Sequence, residues 1–296
     1  MTMNVAVIDV GSHTVRLLVA SREEGELRAL REQKAALGLG VEIEQHGRIS
    51  DTKLHETVAQ VRAFARSARE AGAVRIETIV TAPGRQSENG PALVELLAEA
   101  TRTPIRILSP DEEGRLAFDG AVQGAELVAD TIAVIDVGGG STEVVVGTPA
   151  GGPVWVRSVD IGALRLTGRS LAMDPPSARC LERAMREVEQ ELAPFTPPLP
   201  QAALAAGGTA RALRKLVGST LRPGELDAAL ELLSEQKSGR IAKAFGIERN
   251  RARTLAAGAV ILQALQHRLG VPLEVSRTGL REGAVLAMLD ELAAAA

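Results

Sequence analysis

The chain has 296 residues, 45% of them hydrophobic and 24% charged, a composition typical of a globular protein with room for two α/β domains. Its net charge of −3 excludes a general positive field for nucleic acid or an anionic membrane, so a polyanion must be met by local groups. The single Cys180 excludes internal disulfides and multi-cysteine metal sites, and no apolar stretch approaches the roughly 20 residues of a membrane span. We therefore expect a cytoplasmic protein without nucleic-acid or membrane partners.

The first half of the chain predicts an α/β domain that opens with a β-hairpin. The hexapeptide Ala-Val-Ile-Asp-Val-Gly at positions 6–11 closes a strand over 4–9, and a β-branched run returns along 15–20. A glycine-punctuated turn at 38–47 and a loop at 82–89 separate the later elements. These elements are strand 26–33, helix 51–71, strand 75–81, helix 90–101, strand 105–108 and helix 111–123.

The same hexapeptide recurs at positions 133–138, and it predicts a second domain of the same kind. The predicted elements are strands 131–136, 143–147 and 154–159, strand 202–206, helices 210–217, 224–232, 234–245 and 249–269, strand 272–276 and helix 280–294. Two strand-loop-strand units differ from the strand-loop-helix of a Rossmann or P-loop site, and they indicate a duplicated pair of domains with facing loops. We place the domains at 1–127 and 128–296, with the last helix free to pack back on the first domain.

The motif Asp-Val-Gly-Gly-Gly-Ser-Thr-Glu at 136–143 predicts a phosphate-binding loop. Glycines let backbone N–H groups approach an anion closely, and the hydroxyl residues add donors. Asp136 and Glu143 could hold Mg²⁺, with Mn²⁺ as the alternative metal, beside the phosphates. A plain glycine-rich turn with solvated acids is the alternative, and the second copy of the motif disfavours it. The phosphate-binding candidates here are Gly138, Gly139, Gly140, Ser141 and Thr142.

Two further turns are candidates for phosphate contacts. The first hexapeptide continues as Ser-His-Thr and would supply the opposing loop, with Asp9 as a further metal ligand, whereas Arg16 on the returning strand could simply face solvent. The turn after strand 202–206 leads into a helix, whose N-terminus favours anions, although a plain turn is the alternative there. The candidates from both turns are Gly11, Ser12, His13, Thr14, Gly208, Thr209 and Arg211.

The roles of one arginine and of a run of three acids in the first half remain open from the residues alone. Arg85 follows a Pro-Gly turn at a strand end, where its guanidinium could clamp phosphate oxygens or could simply lie on the surface. The acids Asp111, Glu112 and Glu113 open a helix, where acids usually complement the helix dipole.

Together these motifs resemble the exopolyphosphatase and guanosine pentaphosphate phosphohydrolase family, a branch of the actin, hexokinase and Hsp70 ATPase superfamily. The resemblance covers nearly the whole chain, and it implies duplicated actin-like, ribonuclease H-like α/β domains with an interdomain cleft. Its elements occur in order at 9–12, 81–89 with Arg85, 109–116 with Glu112 and Glu113, 136–143, 158–166, 207–209, Gly258 and 280–283.

The resemblance also implies roles for individual residues. Glu113 would be the general base that deprotonates water, Arg85 would neutralise charge on the transferred phosphoryl group, and Asp136 and Glu143 would position Mg²⁺. The implied reaction is hydrolysis of the terminal phosphoanhydride of inorganic polyphosphate by a homodimer. The chain departs from the family pattern at 13–14, where Asn-Ser is usual, and at 83–84, where larger residues are usual.

Three alternatives stay open at this point. The same loops would suit the 5′-phosphate of guanosine pentaphosphate, although four Phe, one Trp and no Tyr offer little for stacking a guanine. A non-catalytic polyphosphate or alarmone sensor would keep the phosphate loops without turnover. An ATP-dependent kinase or actin-like ATPase would need an adenosine pocket near 207–211.

Overall fold

The computed structural model describes residues 3–126 and 129–295. The chain divides into two compact units: the first unit runs to Leu116 and resumes at Leu280, and the second unit is Ala117–Gly279. The predicted boundary between residues 127 and 128 lies outside the described residues, and the predicted domain limits stay predictions. Among the helices that the structure describes, none is both long and apolar enough to cross a membrane.

Strands and helices alternate along the chain, as the sequence pattern predicts for an α/β protein. The first half contains β1 (Asn4–Val10), β2 (Thr14–Glu23), β3 (Glu26–Ala36), α1 (Leu39–His46), α2 (Asp51–Glu70), β4 (Ala73–Val80), α3 (Ala82–Gln86), α4 (Gly90–Thr101), β5 (Ile105–Ile107) and α5 (Pro110–Gln123). The second half contains β6 (Ile132–Val137), β7 (Thr142–Thr148), β8 (Gly152–Val159), α6 (Ala163–Ser170), α7 (Ala178–Leu192), β9 (Ala202–Ala206), α8 (Gly207–Val217), β10 (Thr220–Leu221), α9 (Pro223–Glu235), α10 (Ser238–Phe245), α11 (Arg249–Arg253), α12 (Leu255–Leu269), β11 (Leu273–Val275) and α13 (Leu280–Ala294).

Each unit contains one mixed sheet, and the two sheets share a plan. The strand order is β3-β2-β1-β4-β5 in the first sheet and β10-β11-β9-β6-β7-β8 in the second. In both, an antiparallel three-stranded meander is extended by two strands parallel to its first member. In the second sheet, β10 then pairs antiparallel with β11 at the edge. Parallel strands end at the same edge of a sheet, so the segments after β1, β4 and β5 meet, as do those after β6, β9 and β11.

The first strand of each sheet is buried on both faces, which explains its continuous apolar sequence. In β1, Ala6 and Ile8 pack toward α2, whereas Val5 and Val7 pack toward α13. In β6, the alternate residues divide in the same way between the core around α12 and the core around α5. Each fully buried Val or Ile side chain contributes about 1.5–3 kcal/mol of stability, so the two repeated hexapeptides anchor the two sheets.

The structure adds short helices where the sequence predicted turns or a loop. Helix α1 replaces the predicted turn at 38–47, where Gly38 and Gly47 flank it with φ values of 67° and 71°. Helix α3 replaces the predicted loop at 82–89, with a proline in its first turn, where a missing N–H costs nothing. The predicted helix 249–269 is two helices, because Thr254 ends α11 and its hydroxyl turns back to the Arg251 carbonyl at 3.1 Å.

Candidate active site

Backbone hydrogen bonds close the turn between β6 and β7 and also connect it to helix α6. The N–H of Gly138 donates to the carbonyl of Ser141 at 2.9 Å and closes the turn. The carbonyl of Gly138 accepts from Ala163 N at 2.9 Å, and that of Gly139 accepts from the two following amides of α6 at 2.9 and 3.2 Å. The loop carbonyls thus cap helix α6, since the first N–H groups of a helix have no partner inside it.

Three backbone amides of this turn, unlike its carbonyls, are not used to cap α6. Within the part of the chain that the structure describes, the N–H groups of Gly139, Gly140 and Ser141 have no hydrogen-bond acceptor, and all three residues are buried. Buried backbone N–H groups are nearly always bonded, and several in succession form an anion-binding concavity. Thr142 differs from the prediction: it is fully buried and its hydroxyl donates to the Ile161 carbonyl at 2.6 Å, so the structure gives this hydroxyl a packing contact.

Two carboxylates oppose each other below this turn. Asp136 and Glu143 are direct partners across the antiparallel pair β6–β7, which places their side chains on one face. Glu143 is 1% exposed, and its Oε1 accepts from the hydroxyl of Ser158 at 2.8 Å. A Cβ added to Gly207 would overlap the Asp136 carboxylate. Like charges at facing positions repel, and paired carboxylate oxygens are the ligands that Mg²⁺ prefers, so these residues fit a hard divalent cation.

Helix α8 begins beside the same strand end, and an arginine that the sequence analysis missed lies against it. Thr209 Oγ1 donates to the Val137 carbonyl at 2.9 Å and accepts from Arg251 Nη1 at 3.2 Å. A Cβ on Gly208 would lie 2.8 Å from Arg251 Nη2. The guanidinium therefore covers the predicted turn. No local sequence signal identifies Arg251, because 42 residues separate it from Thr209.

Arg211, a predicted phosphate ligand, lies one turn further along α8. Its Nη1 donates to the carbonyl of Arg277 at 3.2 Å. This contact joins α8 to the turn that follows β11. The structure therefore brings the segments after β6, β9 and β11 together within the second unit.

The hairpin of the first unit repeats this turn with different charges. The N–H of Gly11 donates to the carbonyl of Thr14 at 3.1 Å, matching the contact in the second hairpin. Asp9, however, is the direct partner of Arg16, whose Nε donates to Thr14 Oγ1 at 3.3 Å. Arg16 is thus half-buried and lies opposite an acid, so it is not a freely solvated side chain. Within residues 3–126 and 129–295, no three His, Cys, Asp or Glu side chains form a group that could hold a metal, so Asp9 does not complete a three-acid cluster.

The residues between these strands, Ser12 and His13, are 7% exposed each. Their carbonyls are bound by a neighbouring segment: Ser12 O accepts from Gly40 N at 2.8 Å, and His13 O accepts from Leu37 N and Gly38 N at 3.2 and 3.1 Å. The carbonyls of the first predicted phosphate loop are therefore bonded to amides of a neighbouring segment, as are the carbonyls of the second loop.

Arg85 and Glu113 form an ion pair within the first unit. Arg85 Nη2 lies 2.9 Å from Glu113 Oε2, and Nη1 donates to the Leu108 carbonyl at 2.6 Å. Their side chains are only 16% and 12% exposed. Arg85 is therefore not a solvated surface arginine, and its fork is oriented by two acceptors.

The adjacent acids Glu112 and Glu113 on α5 bond to different partners. The amide and hydroxyl of Ser109 donate to Glu112 Oε2 at 2.8 and 2.7 Å, and Glu112 N returns a bond to the Ser109 hydroxyl at 3.2 Å. This reciprocal pair is a capping box, and the bond from the Ser109 hydroxyl lowers the pKa of Glu112. The helix-cap interpretation therefore holds for Glu112, while Glu113 faces Arg85.

Comparison with known proteins assigns the chain to a family. The model of the Ppx/GppA phosphatase family matches residues 18–292. The chain belongs to this family. It is 29% identical over 306 residues to exopolyphosphatase 1 of Mycobacterium tuberculosis, covering 97% of this chain and 89% of that protein. The crystal structure of the Aquifex aeolicus Ppx/GppA family member is 27% identical with a TM-score of 0.84, covering 98% of this chain and 99% of that one. An exopolyphosphatase from Cytophaga hutchinsonii shares the fold, with a TM-score of 0.90 at 20% identity over 98% of each chain.

Family membership confirms three predictions from the sequence. The resemblance is correct, and the fold is the duplicated actin-like α/β fold. The enzyme class is also as predicted, a phosphoanhydride hydrolase.

Proposed function

We propose that this Ppx/GppA family member is an exopolyphosphatase that hydrolyses the terminal phosphoanhydride of inorganic polyphosphate and releases orthophosphate. The observation that carries the proposal is the run of three buried amides at Gly139, Gly140 and Ser141, which is suited to phosphate oxygens. The amides of Ser12 and Gly208 and the guanidinium of Arg251 add donors on neighbouring strand ends of their own units.

In the proposed reaction, Glu113 accepts a proton from the attacking water, and the water oxygen bonds to the terminal phosphorus. The bond from that phosphorus to the bridging oxygen breaks, and the shortened polyphosphate leaves with the electron pair. Arg85 donates to phosphoryl oxygens on which charge accumulates. A loose phosphoryl-transfer transition state requires placement and charge neutralisation more than covalent help, which suits an arginine already oriented by Leu108 and Glu113.

Asp136 and Glu143 are the residues that would hold Mg²⁺ or Mn²⁺. When bound, such an ion offsets the negative charge of adjacent phosphate oxygens. Ser158 holds one carboxylate of the pair, and Gly207 leaves room for the other.

Polyphosphate is favoured over guanosine pentaphosphate because every aromatic side chain is used elsewhere. Phe64 and Phe118 are core residues, Phe245 packs on the main core of the second unit, and Trp155 stacks edge-on with Phe195 at 5.8 Å between ring centroids. These are all the aromatic residues of the chain. None of them lies ready to stack on a guanine.

The test is phosphate release by the wild type from short polyphosphate, long polyphosphate, guanosine pentaphosphate and ATP, each with Mg²⁺, alongside direct binding of each compound. We expect the highest kcat/KM with polyphosphate. A preference for guanosine pentaphosphate would make this a pentaphosphate phosphohydrolase. Tight binding without release would make it a sensor, and a preference for ATP would indicate a kinase or ATPase.

We also propose that the enzyme acts as a cytoplasmic homodimer, as the family resemblance implies. Light scattering of the purified protein tests the dimer, because a monomer at assay concentration would contradict it. Fractionation of the native cells tests the location.

A further inference from the structure

Asn89 occupies the N-cap position of a helix, but its side chain bonds to a distant backbone segment instead of to that helix. It is the N-cap residue of α4, yet its side chain makes no bond to that helix. Its Oδ1 accepts from Ile49 N at 2.9 Å, and its Nδ2 donates to Ile49 O at 2.8 Å. Asparagine is among the best N-caps, so this double hydrogen bond forgoes a stabilising contact in order to hold a distant backbone.

The backbone that Asn89 holds belongs to the strap, as we call residues 37–50. At its start, the strap donates three amide bonds to the carbonyls of Ser12 and His13. Near its end, Gly47 O accepts from Glu88 N at 2.9 Å, next to the Asn89 contacts. The strap therefore connects the first phosphate loop with the segment that follows α3.

Helix α3 carries Arg85 and has only five residues, too few for a helix to be stable by itself. Its position depends on what packs against it. Ser87 Oγ donates to the Pro83 carbonyl at 2.6 Å, and a Cβ on Gly90 would overlap the carbonyl of Gly84. Asn89 thus lies between two residues that contact α3 directly.

We infer that Asn89 is a positioning residue for Arg85, an inference that rests on the proposed function. Its double hydrogen bond to Ile49 fixes the end of the α3 segment against the strap, and the strap in turn fixes the Ser12–His13 loop. The position of Arg85 relative to this loop is therefore fixed through the strap. Loss of the Asn89 amide lets α3 shift, and the guanidinium then meets the phosphoryl oxygens less well.

The test compares Asn89→Ala with Asn4→Ala. Asn4 is a matched control, because its Nδ2 also donates to a distant backbone carbonyl of the first unit, that of Ala71, at 3.2 Å. We expect Asn89→Ala to lower kcat on short polyphosphate about tenfold with little change in KM, since small misplacements of a catalytic group have effects of this size. Asn4→Ala should lower the melting temperature without lowering kcat.

A double-mutant cycle separates positioning from general damage. If Asn89 acts through Arg85, adding Asn89→Ala to Arg85→Ala should lower kcat by less than about twofold. Asn89→Asp, which keeps the acceptor for Ile49 N–H, should fall between wild type and Asn89→Ala, and it replaces the alanine variant if that variant does not fold.

A wild-type kcat in Asn89→Ala, or an undiminished loss in the Arg85→Ala background, would overturn the inference. A wild type that releases no phosphate would overturn the proposed function instead. Amide exchange across residues 82–89 then still decides the structural claim: faster exchange in Asn89→Ala than in Asn4→Ala supports it, and equal exchange contradicts it.

Discussion

The two hairpins, β1–β2 and β6–β7, have the same backbone hydrogen bond in their turns but differ in the charges of their side chains. Both turns close with one amide bond, at 3.1 Å from Gly11 and 2.9 Å from Gly138. The acid at the strand end then faces Arg16 in the first hairpin and Glu143 in the second. The duplicated hairpin thus pairs its strand-end acid with an arginine in the first unit and with a second acid in the second unit.

The same contrast extends to the neighbouring strand ends. In the first unit, the acid Glu113 also lies against an arginine, Arg85. In the second unit, the buried amides suit an anion, and the opposed carboxylates of Asp136 and Glu143 suit a cation. The comparison therefore assigns the proposed base and arginine to the first unit, and the proposed cation and phosphate cradle to the second.

The largest effect should follow from removing one acid of the second hairpin. Asp136→Asn or Glu143→Gln should lower kcat/KM about 100-fold, because the cation contributes several kcal/mol of charge stabilisation. Mn²⁺ binding, followed by electron paramagnetic resonance, should weaken in parallel. Glu191→Gln, an exposed acid on α7, is the control and should change neither quantity. Unchanged Mn²⁺ binding in the two site variants would refute the cation assignment.

A smaller effect should follow from filling the space beside Asp136. Gly207 and Gly218 both have positive φ, 80° and 96°, but only Gly207 has a neighbour where a Cβ would stand. Gly207→Ala should therefore lower the free energy of unfolding by about 2 kcal/mol more than Gly218→Ala, the cost of overpacking. Urea denaturation measures the difference. Equal losses would mean that the Asp136 carboxylate moves away freely.

The acid of the first hairpin should matter less for the cation. Asp9→Asn should leave Mn²⁺ affinity within about twofold of wild type, because Asp9 faces an arginine and not a second acid. A loss as large as that of Asp136→Asn would restore Asp9 as a metal ligand, as the sequence predicts.

The smallest effect concerns the acid beside the proposed base. The pKa of Glu112 is lowered in the folded protein, so its stabilising contribution is complete above the ordinary glutamate pKa and is lost as the pH falls through the folded value. Glu112→Gln should lower the free energy of unfolding at pH 7 by about 0.5 kcal/mol. The gap from wild type should narrow below about pH 4. A gap that is constant with pH would exclude this carboxylate as its source.

Much of the fold was predictable because the repeated hexapeptide is buried on both faces. A continuous apolar run that ends in Asp-Val-Gly identifies both central strands, and the predicted strand over 4–9 agrees with β1 within a residue. Helices α1 and α3 were missed because glycine and proline indicate turns in a single sequence. What stabilises α3 is packing against Gly90 and the Asn89 segment, which no local pattern records.

The site was predictable where motif and backbone geometry coincide, and less so where side chains reach across the fold. The glycine turn at 138–140 lies where the pattern predicts it. Arg251 was missed because 42 residues separate it from its partner Thr209. Thr142 was predicted to bind phosphate as a hydroxyl donor, whereas its hydroxyl donates to the Ile161 carbonyl, 19 residues away.

In the proposed mechanism, Glu113 activates the attacking water. The most direct measurement is phosphate release from short polyphosphate by Glu113→Gln, with Glu112→Gln as the control in the same helical turn and with polyphosphate binding followed in both. We expect Glu113→Gln to lose about 1,000-fold in kcat, within the range of general bases, and to keep polyphosphate binding, while Glu112→Gln stays near wild type. Near-wild-type release by Glu113→Gln would contradict the mechanism.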